Sequence, residues 1–462
     1  MQWFTDLAYE PLIRVGADGK LKPGLAKSWG YVGDGTREFR LTLRSGAKFS
    51  DGSPVTASAV KESLEYFTDK GSKGELLDNV TSITTDGKKT LDFKLKVPSP
   101  IMATLLSSDH LGASYIIGPS GLAHPDSLTK QTAGAGQYVL DTADTVANSR
   151  YVYTANPKYY DPSAVHWKKI VFKVIEDANG QLSALQTGQV DVIQGTAKTA
   201  PTAAKSGLKV VSGPSVEFGI MIPDAGGAKV PALGKPEVRR ALNYAVDRAS
   251  ITKALFGTYA KVDQQYLAPG AVGYDEDLAG FYPYDMAKAR RLMAAAGYPH
   301  GFSATLLVTP QVGVVDMVQA VTAGWAKLGV KIKIESPTPA VWADDVQHKK
   351  WPLQANSLPL GNMFLNYINY MRPGASYNYW NYPFHDQVAI GKQAMALDPG
   401  SPRYADLMTR LNKSMLTNAI RVPVTQGDLI LLTSKRVTGI KINSTYPVPD
   451  PSYWTPTGQV TE

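Results

Sequence analysis

Ile170-Val171-Phe172-Lys173-Val174-Ile175, then Gln181-Leu182-Ser183-Ala184-Leu185-Gln186, then Gly188, then Val190-Asp191-Val192-Ile193 form a strand-like run, a helix-like run, a stop and a second strand-like run. That β-α-β order predicts a parallel strand pair, because parallel neighbours need a crossover connection. Elements of the same kinds extend to both sides. Upstream, Phe39-Arg40-Leu41-Thr42-Leu43-Arg44 alternates with the period of a half-buried strand, and Asp51-Gly52-Ser53-Pro54 signals a turn. Thr56 predicts the cap of a helix to about Phe67, and Asp86-Gly87 separates a strand pair over 80–84 and 90–96. Downstream, Pro236 fits the first turn of a long helix that buries Val238, Leu242, Ala245 and Val246. Asp285 caps a second helix that stops at Gly297, and a third helix over 314–328 precedes a short strand over 330–334. The class is α/β with mixed sheets.

A chain of 462 residues exceeds what one hydrophobic core holds, so two or three lobes are expected. With 44% hydrophobic and 19% charged residues, the composition is that of a globular protein. The longest apolar runs, near 101–106 and 429–432, fall far short of the ~20 residues that span a bilayer. There are no cysteines, which removes thiol catalysis, Cys-ligated zinc, iron–sulfur clusters and disulfides together. The net charge of +8 is scattered in pairs such as Lys88-Lys89, Arg239-Arg240 and Lys349-Lys350. No basic stripe or nucleic-acid module stands out, so nucleic acid is not an expected partner.

Motifs for chemistry are missing. Gly134-Ala135-Gly136 lacks the third glycine of a dinucleotide fingerprint and reads as a turn. No G-x-S-x-G elbow occurs, and Gly118-Pro119-Ser120-Gly121 has no evident His/Asp setting. His110, His124, His166, His300, His348 and His385 are dispersed, without a metal-ligand spacing. Neither a catalytic residue, a metal nor a cofactor is expected.

Five stretches in order resemble bacterial extracellular solute-binding protein family 5, the oligopeptide/dipeptide-type receptors of ABC importers. They are Tyr9-Glu10-Pro11-Leu12 with 18–29; 39–44 with Phe49-Ser50-Asp51-Gly52-Ser53-Pro54; Asn156-Pro157-Lys158-Tyr159-Tyr160 with 184–191; Pro236-Glu237-Val238-Arg239-Arg240-Ala241-Leu242 through Arg248; and Tyr282-Pro283-Tyr284-Asp285 with Ala296-Gly297-Tyr298-Pro299. Arg239 and Asp247, eight apart on nearly one face, suggest a structural ion pair or surface charge.

The resemblance implies a periplasmic-binding-protein-like fold of two α/β lobes with an extra domain inserted in the first. On this chain the first lobe takes 1–17, 135–224 and 428–462, the extra domain 18–134, and the second lobe 225–427. Crossings with Gly226, Gly227 and Gly427 serve as the hinge, and solute is enclosed when the lobes close. The implied partners are a small-molecule solute and membrane permease subunits, and the implied location is outside the cytoplasm, as a periplasmic or cell-surface lipoprotein. The implied protein is a monomer and no enzyme; the competing classes are a cleft hydrolase and a sensor partner of the same fold. Relatives carry a first strand before the stretch matching Tyr9–Leu12, which is largely missing here, so the chain is expected to be truncated, trimmed or started late.

Peptide-binding relatives place an acid where this chain has 351–364, and no Asp or Glu occurs from 346 to 385. An ammonium buried without a counter-charge is costly. Phe364, Tyr367, Tyr370, Tyr377, Tyr379, Trp380, Tyr382 and Phe384 instead crowd one stretch, interleaved with Asn362, Asn366, Asn369, Asn378 and Asn381. Some of these rings belong to the core, since aromatics dominate core burial. The rest suggest a wall of rings and amides for a neutral or weakly anionic solute such as an oligosaccharide or glycoside, with an oligopeptide as the alternative. The expected solute contacts are Phe218, Asn356, Ser357, Asn362, Met363, Tyr367, Tyr377, Tyr379 and Trp380.

Overall fold

Alternation along Glu38–Leu43 sends Phe39, Leu41 and Leu43 inward and leaves Glu38 and Arg40 in water. That strand sits inside a four-stranded antiparallel sheet, ordered Ala26–Tyr31, Glu38–Leu43, Thr90–Leu95, Val80–Thr85. The Ala57–Lys70 helix packs on it, started by the Thr56 hydroxyl, which accepts from the Ala59 N–H at 3.2 Å. A computed structural model describes residues 2–16, 18–71, 77–108, 112–308, 313–337, 349–372, 375, 378–442 and 450–458. Within it the chain forms two compact units: 1–211 with 395–398 and 430–462, and 212–394 with 399–429. No described helix is long and apolar enough to cross a membrane.

The first unit also holds a three-stranded antiparallel sheet of Tyr138–Leu140, Arg150–Ala155 and Lys169–Lys173. After it comes the Ala178–Gln186 helix, capped by Asp177, and then the strand Val192–Gln194. The elements are those expected, but the parallel pairing is not. Among the described residues Lys169–Lys173 pairs only with Arg150–Ala155, and Val192–Gln194 pairs antiparallel with the far end of Arg421–Thr433, Val192 opposite Thr433. The second strand thus finds a partner from much later in the chain, which no local pattern announces.

Motif residues hold the first unit together. Glu10 and Arg14 are buried and ion-paired, and the Arg14 guanidinium also reaches Asp450 at 3.1 Å and the Ser452 hydroxyl at 3.2 Å. The Tyr159 and Tyr160 hydroxyls donate to Glu10 at 3.1 and 3.0 Å. Tyr9–Leu12 and Tyr159-Tyr160 therefore meet in one polar cluster.

In the second unit the strand order is Arg421–Thr433, Lys209–Met221, Leu353–Pro359, Ser303–Val308, Lys331–Glu335, where the long strands contribute their unit-two portions. The true β-α-β lies here: Ser303–Val308 and Lys331–Glu335 are parallel, joined by the Val314–Ala326 helix. Gly329 at φ +80° makes the return, where a Cβ would collide with the His300 carbonyl. Trp325 is fully buried and donates its indole N–H to the Leu242 carbonyl at 2.9 Å. Burying each such large apolar side chain is worth about 1.5–3 kcal/mol.

Two expectations about the 236–248 stretch are corrected. The long helix is two helices, Pro236–Tyr244 and Arg248–Phe256, because Asp247 caps the second and its carboxylate accepts from the Ser250 N–H at 3.1 Å. Arg239 is no surface charge, and among the described residues it makes no ion pair. It is fully buried and donates to the carbonyls of Asn418, Ala225 and Leu233, and desolvation lowers its pKa.

Candidate functional site

The register of Lys209–Met221 against Leu353–Pro359 places Glu217 opposite Leu358, Phe218 opposite Ser357 and Gly219 opposite Asn356. Alternation then separates two faces. Phe218 and Ile220 join Leu353 and Ala355 in the hydrophobic core, while Glu217 and Asn356 turn to the other face. There Arg421 donates to Glu217 through Nε at 2.7 Å and Nη2 at 2.6 Å, and its Nη1 donates to Asn356 Oδ1 at 2.8 Å. Both charged side chains are 1% exposed. Gly219 lets the pair fold over the strand, since a Cβ there would strike Glu217 and the Val422 carbonyl. Burial pushes the Glu217 carboxyl up against the opposing pull of Arg421, and its Oε1 is sealed without a partner. A carboxylate does stand beside the 351–364 stretch, then, but a guanidinium already holds it. Sequence reasoning missed it because it comes from a strand distant in the chain.

The aromatic–amide stretch divides on inspection. Asn362 caps the Met363–Tyr370 helix: its Oδ1 accepts from the N–H groups of Phe364 at 2.8 Å and Leu365 at 3.3 Å. An Asn directly before an apolar run was the available signal for that role. Met363, Phe364, Tyr367 and Phe384 are buried, and the Tyr367 ring lies where a Cβ on Gly391 would sit. Asn356 is engaged by Arg421, and Phe218 stacks on Phe256 with centroids 4.9 Å apart. Ser357 is half-buried. Tyr377, like His110 and His348, lies outside the described residues.

Tyr379 and Trp380 differ from these. They ride on a turn closed by Asn378, whose amide donates to the Tyr382 carbonyl at 3.0 Å and accepts from its N–H at 2.9 Å. Both are half-buried, yet the Tyr379 hydroxyl and the Trp380 indole N–H are sealed from water, and among the described residues they have no partner outside this pair. Burial pushes the Tyr379 phenol well above its ordinary value, and a side-chain hydrogen bond from Trp380 pulls it back. The pair is thus underserved with acceptors, a deficit that an incoming acceptor would remove.

The glycines expected to form a hinge are placed as follows. The chain passes between units inside the strands Lys209–Met221, at 211/212, and Arg421–Thr433, at 429/430, and also on either side of 395–398. Gly427 precedes the crossing at 429/430, with Phe218 packed against it. Gly226 and Gly227 lie in the second unit, in a turn whose Asp224 carboxylate accepts from the N–H groups of Ala228, Lys229 and Val230 at 2.7, 3.0 and 2.7 Å. Among the described residues no group of three or more His, Asp or Glu is placed to hold a metal.

Asp428, beside Gly427, is a carboxylate that burial pushes above 3.8 while Ser212 and Lys261 pull it down. A carboxyl with a raised folded-state pKa takes up a proton on folding. Its contribution to stability is present when it is protonated and lost as pH rises through the folded value. Asp428→Asn is expected to remove that decline. Unfolding midpoints for both proteins between about pH 4 and 6 check it, and parallel curves would show that the carboxyl is not perturbed.

Comparison with known proteins follows from this geometry. Residues 20–381 match the family described as bacterial extracellular solute-binding proteins, family 5 Middle. The glutathione-binding protein GsiB of Escherichia coli O6:K15:H31 is 27% identical over 351 residues, 74% of this chain and 66% of its own length. The chain thus spans just under two thirds of that relative. Among solved structures, AgaA of A. tumefaciens R10 in complex with agropinic acid superposes with a TM-score of 0.83 at 24% identity, covering 99% of this chain and 94% of its own. DppA of Helicobacter pylori in complex with the peptide STSA gives 0.81 at 19% identity, covering 97% and 92%. These share the two-lobed α/β fold.

Proposed function

Since the chain belongs to the bacterial extracellular solute-binding proteins of family 5, we propose that it is the receptor of an ABC-type importer. It captures a small organic solute and passes it to permease subunits in a membrane, acting outside the cytoplasm as a monomer. It converts nothing. The lobes at 1–17, 135–224 and 428–462, with 18–134 inserted, and at 225–427 belong to the same proposal, as does a hinge at Gly226, Gly227 and Gly427.

The cargo is a peptide or an amino-acid-derived solute. The similarity to a glutathione-binding protein, and to structures that hold a peptide or agropinic acid, favours this over the oligosaccharide expected from the carboxylate-free stretch. The observation that carries the reading is the pair of sealed donors on Tyr379 and Trp380. Amide carbonyls and carboxylates are the acceptors that such donors lack, and the indole face offers a planar platform. Calorimetry with glutathione, Ser-Thr-Ser-Ala and maltotriose tests it. A peptide-type solute is expected to bind without product formation, and Trp380→Ala to weaken it by about 1–3 kcal/mol. Tight binding of maltotriose alone, or turnover of any of the three, would defeat the reading.

A further inference from the structure

The Arg239 guanidinium is served unevenly. Its Nε and Nη1 donate to the carbonyls of Asn418, Ala225 and Leu233, while Nη2 is sealed and reaches no backbone acceptor among the described residues. Carbonyls satisfy hydrogen bonds, but they leave a buried cation without a counter-charge, which is costly. The side chain that attends it is Tyr382. The guanidinium carbon lies over its ring, 5.9 Å from the centroid, close enough for the ring face to attract the cation. The Tyr382 phenol also offsets part of the desolvation of Arg239.

Tyr382 is held from other directions too. Its ring lies against Gly226, where an added Cβ would sit 3.5 Å from Cδ2, and it meets the Phe384 ring edge-on with centroids 4.7 Å apart. Its backbone is locked to one side chain: Asn378, 4% exposed, donates to the Tyr382 carbonyl and accepts from the Tyr382 N–H. The Asn381 N–H closes the same turn on the Asn378 carbonyl at 2.8 Å, and Asn381 takes the left-handed conformation at φ +54°. A non-glycine residue keeps that conformation where its surroundings enforce it. Tyr379 and Trp380 lie inside this closed stretch, so whatever fixes residue 382 fixes them.

We propose that Tyr382 is a positioning residue of the solute site: clamped between the Arg239 guanidinium and Gly226, it holds the turn that presents Tyr379 and Trp380 to the solute. The inference rests on the assignment of the solute to those two side chains and adds what keeps them in place. A ring that only filled space would need no cation behind it. A ring that itself touched solute would leave the ligand-free turn unchanged when removed. The same ring joins the turn to the Gly226–Gly227 segment, so a backbone change there reaches the solute contacts.

The full chain labelled with 5-fluorotryptophan tests this through the fluorine resonance of Trp380, assigned with Trp380→Phe, against that of Trp325 in the same unit. Without ligand, Tyr382→Leu is expected to shift or broaden the Trp380 signal and to leave the Trp325 signal unchanged. Tyr382→Phe, which keeps the ring against the cation, should restore it. Gly226→Leu, which crowds the ring from the other side, should move it again, and carries the comparison if Tyr382→Leu does not fold. Glutathione binding should weaken about tenfold in Tyr382→Leu and less than about twofold in Tyr382→Phe. A Trp380 signal that stays in place, or one that moves only together with Trp325, would overturn the proposal. So would undiminished glutathione binding by Tyr382→Leu. Fluorine shifts as expected in a protein that binds no glutathione would uphold the clamp and defeat the solute reading instead.

Discussion

Arg421→Met is expected to cost about 3–5 kcal/mol of stability, the largest single effect in the second unit. The change leaves the Glu217 carboxylate, 1% exposed, without its hydrogen-bonded cation and Asn356 Oδ1 without its donor. Removing both charges should hurt less, because the burial cost of the carboxylate goes with its partner. Glu217→Gln combined with Arg421→Met should recover at least about 1 kcal/mol over Arg421→Met alone. Urea unfolding of the three variants measures this. A loss below about 1 kcal/mol for Arg421→Met would mean that water reaches the pair in solution.

Arg14→Met should be comparably severe in the first unit, about 3–5 kcal/mol. Arg14 is the shared cation of Glu10 and Asp450 and sits 5.5 Å from the Tyr453 ring centroid. Its neighbours raise its pKa well above the ordinary value despite burial, while burial lifts the Asp450 carboxyl. Without the guanidinium, two carboxyls share one buried space and at least one must take up a proton. The variant should therefore regain part of its loss as pH falls toward about 5, where wild type does not. A pH-independent deficit would assign the loss to packing alone.

Local signals were legible and distant pairings were not. Thr56 and Asp285 each accept from an N–H three residues on, so the sequence window that contains a cap also contains its target. The periodicity of 39–44 and 314–328 survives for the same reason. Val192–Gln194 and Glu217 fail that condition, since their partners, Arg421–Thr433 and Arg421, lie far along the chain. Arg239 misled in another way: an arginine on a helix face looks solvated unless one knows that three backbone carbonyls converge on it. At the site, the family resemblance pointed to the second unit and the ring density to 364–384, but counting rings cannot separate Tyr367, buried against Gly391, from Trp380 with its sealed donor.

The Arg14–Asp450 bond joins residues 436 positions apart. Closing a loop of that size carries an entropic cost that grows slowly with length, about 0.6 kcal/mol per doubling, so thermodynamics tolerates it easily. Timing does not. A chain emerging amino end first presents Glu10 and Arg14 long before Asp450 exists, and presents Val192–Gln194 long before residues 431–433 can pair with it. The second unit, flanked by these early and late pieces, has all its parts before the first unit does. The unit that begins the chain is thus the last to become native, and until the final residues arrive its buried ion cluster stays open to water.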